Sequence, residues 1–163
     1  MSDPAVGFHL VLVSTVESMG RRLLPGETFP DWAAPVTEEG QIAATFQLIN
    51  WGEGRAMVTA HVALSRDQSS SGHPPVAVSV TIGALYDVQL TGNDGSESTE
   101  ETAMPPIEQW PNDLVDTVIK AGLVDTGPFL LQALHFASAT VDPTNPILIN
   151  VVPSGQLVRR ATA

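Results

Sequence analysis

Runs of β-branched and apolar residues predict four β-strands in the first half of the chain. They cover residues 8–16, 42–49, 56–65 and 76–88. In the third run, apolar residues alternate with mostly polar ones, so one face of the sheet is expected to be buried. No helical pattern separates the four runs. This order predicts an antiparallel meander rather than a parallel sheet with crossover helices.

The connections between these strands differ in character. Residues 23–39 contain three prolines and a glycine and therefore predict a long irregular crossover, yet this segment also holds Phe29 and Trp32. Residues 50–55 contain two glycines and predict a hairpin loop. Residues 91–106 are acidic and polar, and we expect a mobile loop there.

Helical periodicity appears only after the strands. Residues 112–121 place apolar side chains on one face and predict a short amphipathic helix that ends at Gly122. Residues 129–141 predict a second, longer helix, with Pro128 near its start and Asp142 at its end. The expected fold class is therefore α+β, a four-stranded antiparallel sheet with helices packed on one face.

The second predicted helix is apolar on two adjoining stripes. One stripe consists of Leu130, Leu134, Ala137 and Val141, and the other of Phe129, Ala133 and Phe136. One stripe can pack on the sheet, but a chain of 163 residues has little left to cover the other. We therefore expect a second subunit or an apolar ligand against this helix.

Charge and composition narrow the function classes. The chain has 18 acidic against 7 basic residues, which disfavours nucleic-acid partners because phosphate binding requires Lys and Arg. It has no cysteine, and only 15% of its residues are charged. There is no apolar stretch long enough to span a bilayer and no basic leader before the first apolar run. We expect one cytoplasmic domain over residues 1–163, part of whose surface is covered by other chains.

Candidate catalytic chemistry is sparse. The run Asp125-Thr126-Gly127 matches the short signature of aspartic proteases, but the second motif of those enzymes is missing. A structural Asp near a helix start is the better interpretation. The four histidines lack metal-ligand spacing, and no phosphate-binding glycine motif is present. We therefore expect no enzymatic activity, no metal and no cofactor.

The order of elements resembles the SecB export-chaperone family and the SecB-like chaperones that assist antitoxins. The resemblance rests on four short sequence motifs. They are the first strand, the Asp-Trp of the crossover at 31–32, the end of the fourth strand at 83–87, and the proline-bounded segment 146–153. The resemblance covers nearly the whole chain in order. The terminal helix of that family is cut short in this pattern, and we expect residues 154–163 to form a short C-terminal tail.

The resemblance implies a homotetramer that holds unfolded or partner polypeptides in apolar grooves without ATP. It implies an oligomer interface at Leu130, Leu134, Ala137 and Val141. It also implies a client groove lined by residues of the crossover and of the long helix, namely Leu24, Phe29, Trp32, Val36, Phe129 and Phe136.

The acidic positions for docking to the SecA motor are poorly matched in this chain. Of the acidic positions through which family members dock SecA, the chain retains only Glu17, with Arg21, Ala77 and Ser79 at the other matching places.

A structural assembly protein, such as a virion or scaffold component, is the alternative. In that case the apolar helix would serve self-association alone.

Overall fold

One sheet and one long helix make up the part of the chain that the computed structural model describes, residues 5–35, 43–52, 54–67, 72–91, 106–147 and 154–159. A single 3-10 turn (Ile107–Gln109) precedes the helix α1 (Asn112–Val141). The strands are β1 (Ala5–Arg22), β2 (Ala34–Pro35), β3 (Ala43–Gly52), β4 (Arg55–Arg66), β5 (Val76–Thr91) and β6 (Ser154–Arg159).

The sheet contains the predicted four antiparallel strands. Its order is β1-β5-β4-β3-β6, and β2 lies beside β4. β1 pairs with β5, which is the last of the four antiparallel strands along the chain. The connection from β1 to β3 therefore passes the positions of β5 and β4 in the sheet. The two short strands were not predicted. β2 is parallel to β4 at Leu64 and Ser65, and β6 is parallel to β3.

The hairpin between β3 and β4 forms where the sequence predicts it. Asn50 pairs with Ala56, and both Gly52 and Gly54 have positive φ, at +84° and +72°. Side chains rarely adopt this backbone conformation, which explains the two glycines. The Asn50 Oδ1 atom accepts a hydrogen bond of 3.0 Å from the Gly52 amide and closes the turn.

The prediction of two helices is wrong, because one helix of 30 residues runs from Asn112 to Val141. Gly122, read as a helix end, is buried inside it. A Cβ atom at this position would lie 2.5 Å from Cγ1 of Val58, so glycine lets the helix approach β4 closely. A glycine that permits close packing and one that ends a helix look alike in a sequence.

Pro128 lies inside the same helix. Proline has no amide hydrogen, so the carbonyl of Val124 loses its usual helical donor. Both Pro128 and Val124 are exposed, and Val124 is exposed to 72%. The missing hydrogen bond therefore lies on the solvent side of the helix, where water can bind the carbonyl.

The core lies between α1 and one face of the sheet. The even-numbered residues of β3, β4 and β5 face the helix, including Leu48, Val58 and Val80. The first half of the helix contributes Val115 and Val118 to the core, and Trp110 packs at the end of the same cluster. Toward its second half, the helix adds its own buried stripe, which consists of Leu130, Leu134 and Ala137.

The crossover after β1 packs on the opposite face of the sheet. Leu23 and Ala33 are buried against Ala77, and Phe29 packs on this small cluster. Ala77 alternates with Val76 and Val78, both of which belong to the core under α1. The crossover and the helix therefore cover different faces.

A polar cluster fastens the end of α1 to the sheet. Asp142 is buried and accepts a hydrogen bond of 2.6 Å from Nη2 of Arg66 on β4, and Thr144 donates to its other oxygen at 3.0 Å. Burial alone would raise the pKa of Asp142, but the hydrogen bonds from Arg66 and Thr144 and the Arg66 charge together lower it below its usual value. The carboxylate stays ionised at neutral pH.

Three sequence-based expectations fall wholly or mainly outside the described residues. These are the predicted mobile loop over residues 91–106, of which 92–105 are not described, most of the segment 146–153, and Val36 of the predicted client groove. Within the tail, residues 154–159 form β6.

The close approach at Gly122 generates the first prediction. In Gly122→Ala, overpacking against Val58 costs about 1–3 kcal/mol, while the better helix propensity of alanine returns at most about 1 kcal/mol. We expect a net loss in the free energy of unfolding, measured by urea denaturation. In the control Gly7→Ala the added Cβ meets no atom within 4 Å, so its effect should stay within about 0.5 kcal/mol. A stabilised Gly122→Ala variant would contradict the packing described.

Candidate functional site

The exposed side of α1 changes character along its length. Its first half exposes Asp113, Asp116 and Lys120, as expected of a helix in contact with water. From residue 126 to residue 141 the chain carries no Asp, Glu, Lys or Arg. In this second half Phe129 is exposed to 49% and Phe136 to 60%. An uncharged helix surface with two exposed phenylalanines is typical of a surface that binds another polypeptide.

These two phenylalanines line a groove between the helix and β1. Its volume is about 340 Å³. The helix approaches the strand closely at this end, since a Cβ atom on Gly20 would lie 2.7 Å from the carbonyl oxygen of Ala137. Six residues line the groove, which we call the α1–β1 groove: Thr15, Ser18, Phe129, Gln132, Ala133 and Phe136. It offers apolar contact area together with hydroxyl and amide groups that can accept or donate hydrogen bonds.

The strand that borders the groove is also an edge of the sheet. β1 is 18 residues long and pairs with β5 on one side. Irregularities in the register leave Val11 and Val16 as extra residues of the strand. Five of its apolar side chains are exposed to between 41% and 56%: Leu10, Val11, Leu12, Val16 and Met19. Long apolar edges of this kind accept further strands.

The predicted client residues do not form one groove. Phe129 and Phe136 lie on the helix side of the sheet, whereas Phe29 is half-buried on the opposite face beside Ala77. Leu24 and Trp32 lie on the same crossover and are exposed, Leu24 to 65%. The prediction of one client groove thus combined residues that the sheet separates onto its two faces.

The predicted interface stripe occupies a different place from the one expected. Leu130, Leu134 and Ala137 are buried under the sheet of their own chain, and Val141 packs half-buried against the same core. Side chains already covered in this way offer no surface to a second subunit. Of the two apolar stripes, the one bearing Phe129 and Phe136 stays exposed.

The positions that match the motor-docking pattern are also divided. Glu17 is exposed on β1, and Arg21 forms an ion pair of 2.8 Å with Glu27. Ala77 and Ser79 are buried on β5. These four positions therefore do not present a common acidic surface.

Asp125, the residue of the protease-like run, has a structural partner. It lies in the middle of α1, and its Oδ2 atom accepts a hydrogen bond of 2.6 Å from the hydroxyl of Tyr86 on β5. Burial, followed by this hydrogen bond and the Asp125 charge, raises the pKa of Tyr86 well above its usual value. Tyr86 therefore stays protonated and acts as a fixed donor between sheet and helix.

The described ranges offer neither a metal cluster nor a membrane-spanning helix. Those residues contain no group of three or more His, Asp or Glu side chains that could hold a metal ion. They also contain no helix that is both long enough and apolar enough to cross a bilayer.

Comparison with known proteins places the fold. No protein-family model matches the chain, and neither does any curated protein. Among solved structures, the chain is similar to the SecB-like chaperone Rv1957 of Mycobacterium tuberculosis, solved in complex with a ChAD peptide from the antitoxin HigA1. The TM-score is 0.51 at 10% identity, with 90% of this chain and 91% of that chain covered. The chain therefore has a SecB-like fold.

The strand side of the groove could not be predicted from the sequence. Thr15, Ser18 and Gln132 carry no motif, and only folding brings β1 and the helix together. One signal was present in the sequence, namely the lack of Asp, Glu, Lys and Arg from residue 126 to residue 141.

The division of α1 into a buried and an exposed side generates the second prediction. Phe129→Gln and Phe136→Gln should each lower the free energy of unfolding by less than about 1 kcal/mol, since these rings lie at the surface. Leu134→Ala should cost about 2–5 kcal/mol because it leaves a cavity in the core. Urea denaturation of the three variants, at one protein concentration, provides the comparison. Equal losses at positions 134 and 136 would contradict this division.

Proposed function

We propose that the protein is an ATP-independent chaperone that binds non-native or partner polypeptides on exposed apolar surfaces. The observation that carries this proposal is the α1–β1 groove, where Phe129 and Phe136 remain exposed on a helix surface without charge. The similarity in fold to a SecB-like chaperone solved with a bound peptide supports it. Aromatic side chains in an open groove tolerate many sequences, which suits a binder of unfolded chains.

Client binding is proposed for both exposed surfaces. The crossover would contribute Leu24, Phe29, Trp32 and Val36, and the groove Phe129 and Phe136. The two surfaces lie on opposite faces of the sheet, so one short peptide segment would contact one of them. An extended polypeptide spans about 3.3 Å per residue. A longer client could therefore reach both surfaces at once.

Self-association is the second part of the proposal. We infer a homotetramer in which the exposed edge of β1 pairs with a second copy. Its five exposed apolar side chains support this, as does the low proportion of charged residues. Two such pairs would then join through surfaces outside the α1–β1 groove, because Leu130, Leu134 and Ala137 are buried within the chain and Phe129 and Phe136 are assigned to clients.

No catalytic step is included in the proposal. Asp125 is engaged with Tyr86, and binding of unfolded chains requires neither a nucleotide nor a metal. The proposed setting is the cytoplasm, in line with the absence of cysteine. Neither SecA docking nor nucleic-acid binding is part of it.

An assembly protein is the second candidate, since one observation also favours it. The β1 edge and the uncharged half of α1 lie next to each other and could be covered entirely by copies of the same chain. The two functions differ in whether Phe129 and Phe136 stay accessible in the assembled protein.

The groove generates the third prediction. The double variant Phe129→Gln/Phe136→Gln should suppress aggregation of a chemically denatured model protein much less than the natural chain, without ATP. Each phenylalanine buried by a client contributes about 1.5–3 kcal/mol to the binding free energy. The chaperone concentration that halves aggregation of the model protein should therefore rise at least about tenfold in the double variant. Light scattering after dilution from denaturant gives this value.

Trp51→Gln is the matched control for this experiment. Trp51 is exposed to 56%, comparable to Phe136, but it lies in the β3–β4 hairpin and does not line the groove. The control should act like the natural chain. If the double variant also keeps full activity, the groove is not the client site, and if the natural chain itself fails to suppress aggregation, the chaperone function is wrong.

A further inference from the structure

The two edges of the sheet are in different states. Within the described ranges β1 has a strand partner on one side only, whereas the opposite edge of the sheet, on β3, is covered by β6 of the same chain. The pairing is parallel and runs from Ala43 with Ser154 to Leu48 with Arg159. The edge of β3 therefore already binds one extended segment through its backbone.

β6 is attached in a way that permits its release. It is six residues long, lies at the end of the sheet, and has β3 as its strand neighbour. β3 itself is held independently by its antiparallel pairing with β4 from Thr45 to Gly52. Since parallel pairing is slightly weaker per residue, loss of β6 would leave the β3–β4 hairpin and the helix contacts in place.

The sequence of β6 indicates which segments suit this edge. It reads Ser-Gly-Gln-Leu-Val-Arg and is followed by Arg160, so an uncharged stretch precedes two arginines. These arginines are two of only seven basic residues in a chain with 18 acidic ones. An acidic protein attracts a basic extended segment over a distance. Backbone pairing then places few other demands on its sequence.

We propose that the β3 edge is a second polypeptide-binding site, which β6 occupies until an extended, uncharged-then-basic segment of a client displaces it. β6 acts as a built-in competitor and sets a threshold for client binding at this edge. This inference rests on the proposed chaperone function and adds a site, a partner chemistry and a regulatory step to it.

A disulfide that locks β6 in place tests the proposal. The natural chain has no cysteine, so Thr45→Cys/Gln156→Cys introduces one defined pair. The two residues are register partners, and directly paired strand residues lie within the Cα separation that a disulfide spans. The probe is a cysteine-free, permanently unfolded polypeptide with basic segments, whose Kd is measured by fluorescence anisotropy before and after reduction.

The oxidised variant should bind this probe at least about tenfold more weakly than the same variant after reduction. The disulfide holds β6 on the edge of β3, so the probe can no longer displace it. The lock control is Gln47→Cys/Thr59→Cys, which joins β3 to β4 at another register pair. Its oxidation should leave the Kd unchanged, as should adding reductant to the natural chain.

Four results would overturn the inference. Equal affinity of the oxidised and reduced Thr45→Cys/Gln156→Cys variant would show that β6 does not compete with clients. Failure of this disulfide to form would contradict the pairing itself. An equal effect of the control lock would indicate general rigidity. If the reduced variant and the natural chain both fail to bind the probe, the proposed function is wrong as well, which separates the two failures.

Discussion

The packing of α1 across the sheet is the contact on which the other features of this protein depend. Gly122 allows the helix to approach Val58 on β4, and Gly20 allows it to cross β1 beside Ala137. Between these points the helix buries one stripe of apolar side chains in the core. The Arg66–Asp142 pair then fixes where the helix ends. Because both glycine contacts are close, the helix cannot rotate to bury its other stripe without opening the core.

This orientation leaves apolar surface exposed that a single chain does not cover. The helix turns Phe129 and Phe136 away from the core, and β1 places its open edge beside them. On the opposite face, the crossover keeps Phe29 half-buried and exposes Leu24 and Trp32. A charged helix surface at the same positions would have made binding of apolar segments unfavourable. The proposed function follows from this distribution of charge and apolar area.

Local patterns in the sequence predicted the elements better than their arrangement. The alternation of apolar and polar residues predicted the four antiparallel strands, and the glycines around residue 53 predicted the hairpin. Both signals are contained within a few residues. Gly122 was wrongly predicted to end a helix. A glycine is needed there because the helix packs closely against Val58, which lies on a strand distant in sequence. Two apolar stripes were visible on the helix, but which of them faces the sheet depends on the approach of β1 and β4. The pairing of β6 with β3 is also non-local and left no signal in the sequence.

The central claim is that the assembled protein keeps an apolar surface accessible to unfolded chains. Light scattering on a sizing column, with and without a stoichiometric amount of an unfolded model polypeptide, tests this directly. We predict a particle with the mass of a tetramer that co-elutes with the polypeptide and keeps it from aggregating. An assembly whose mass and elution are unaffected by the polypeptide, which then aggregates, would contradict the account and favour a structural assembly protein.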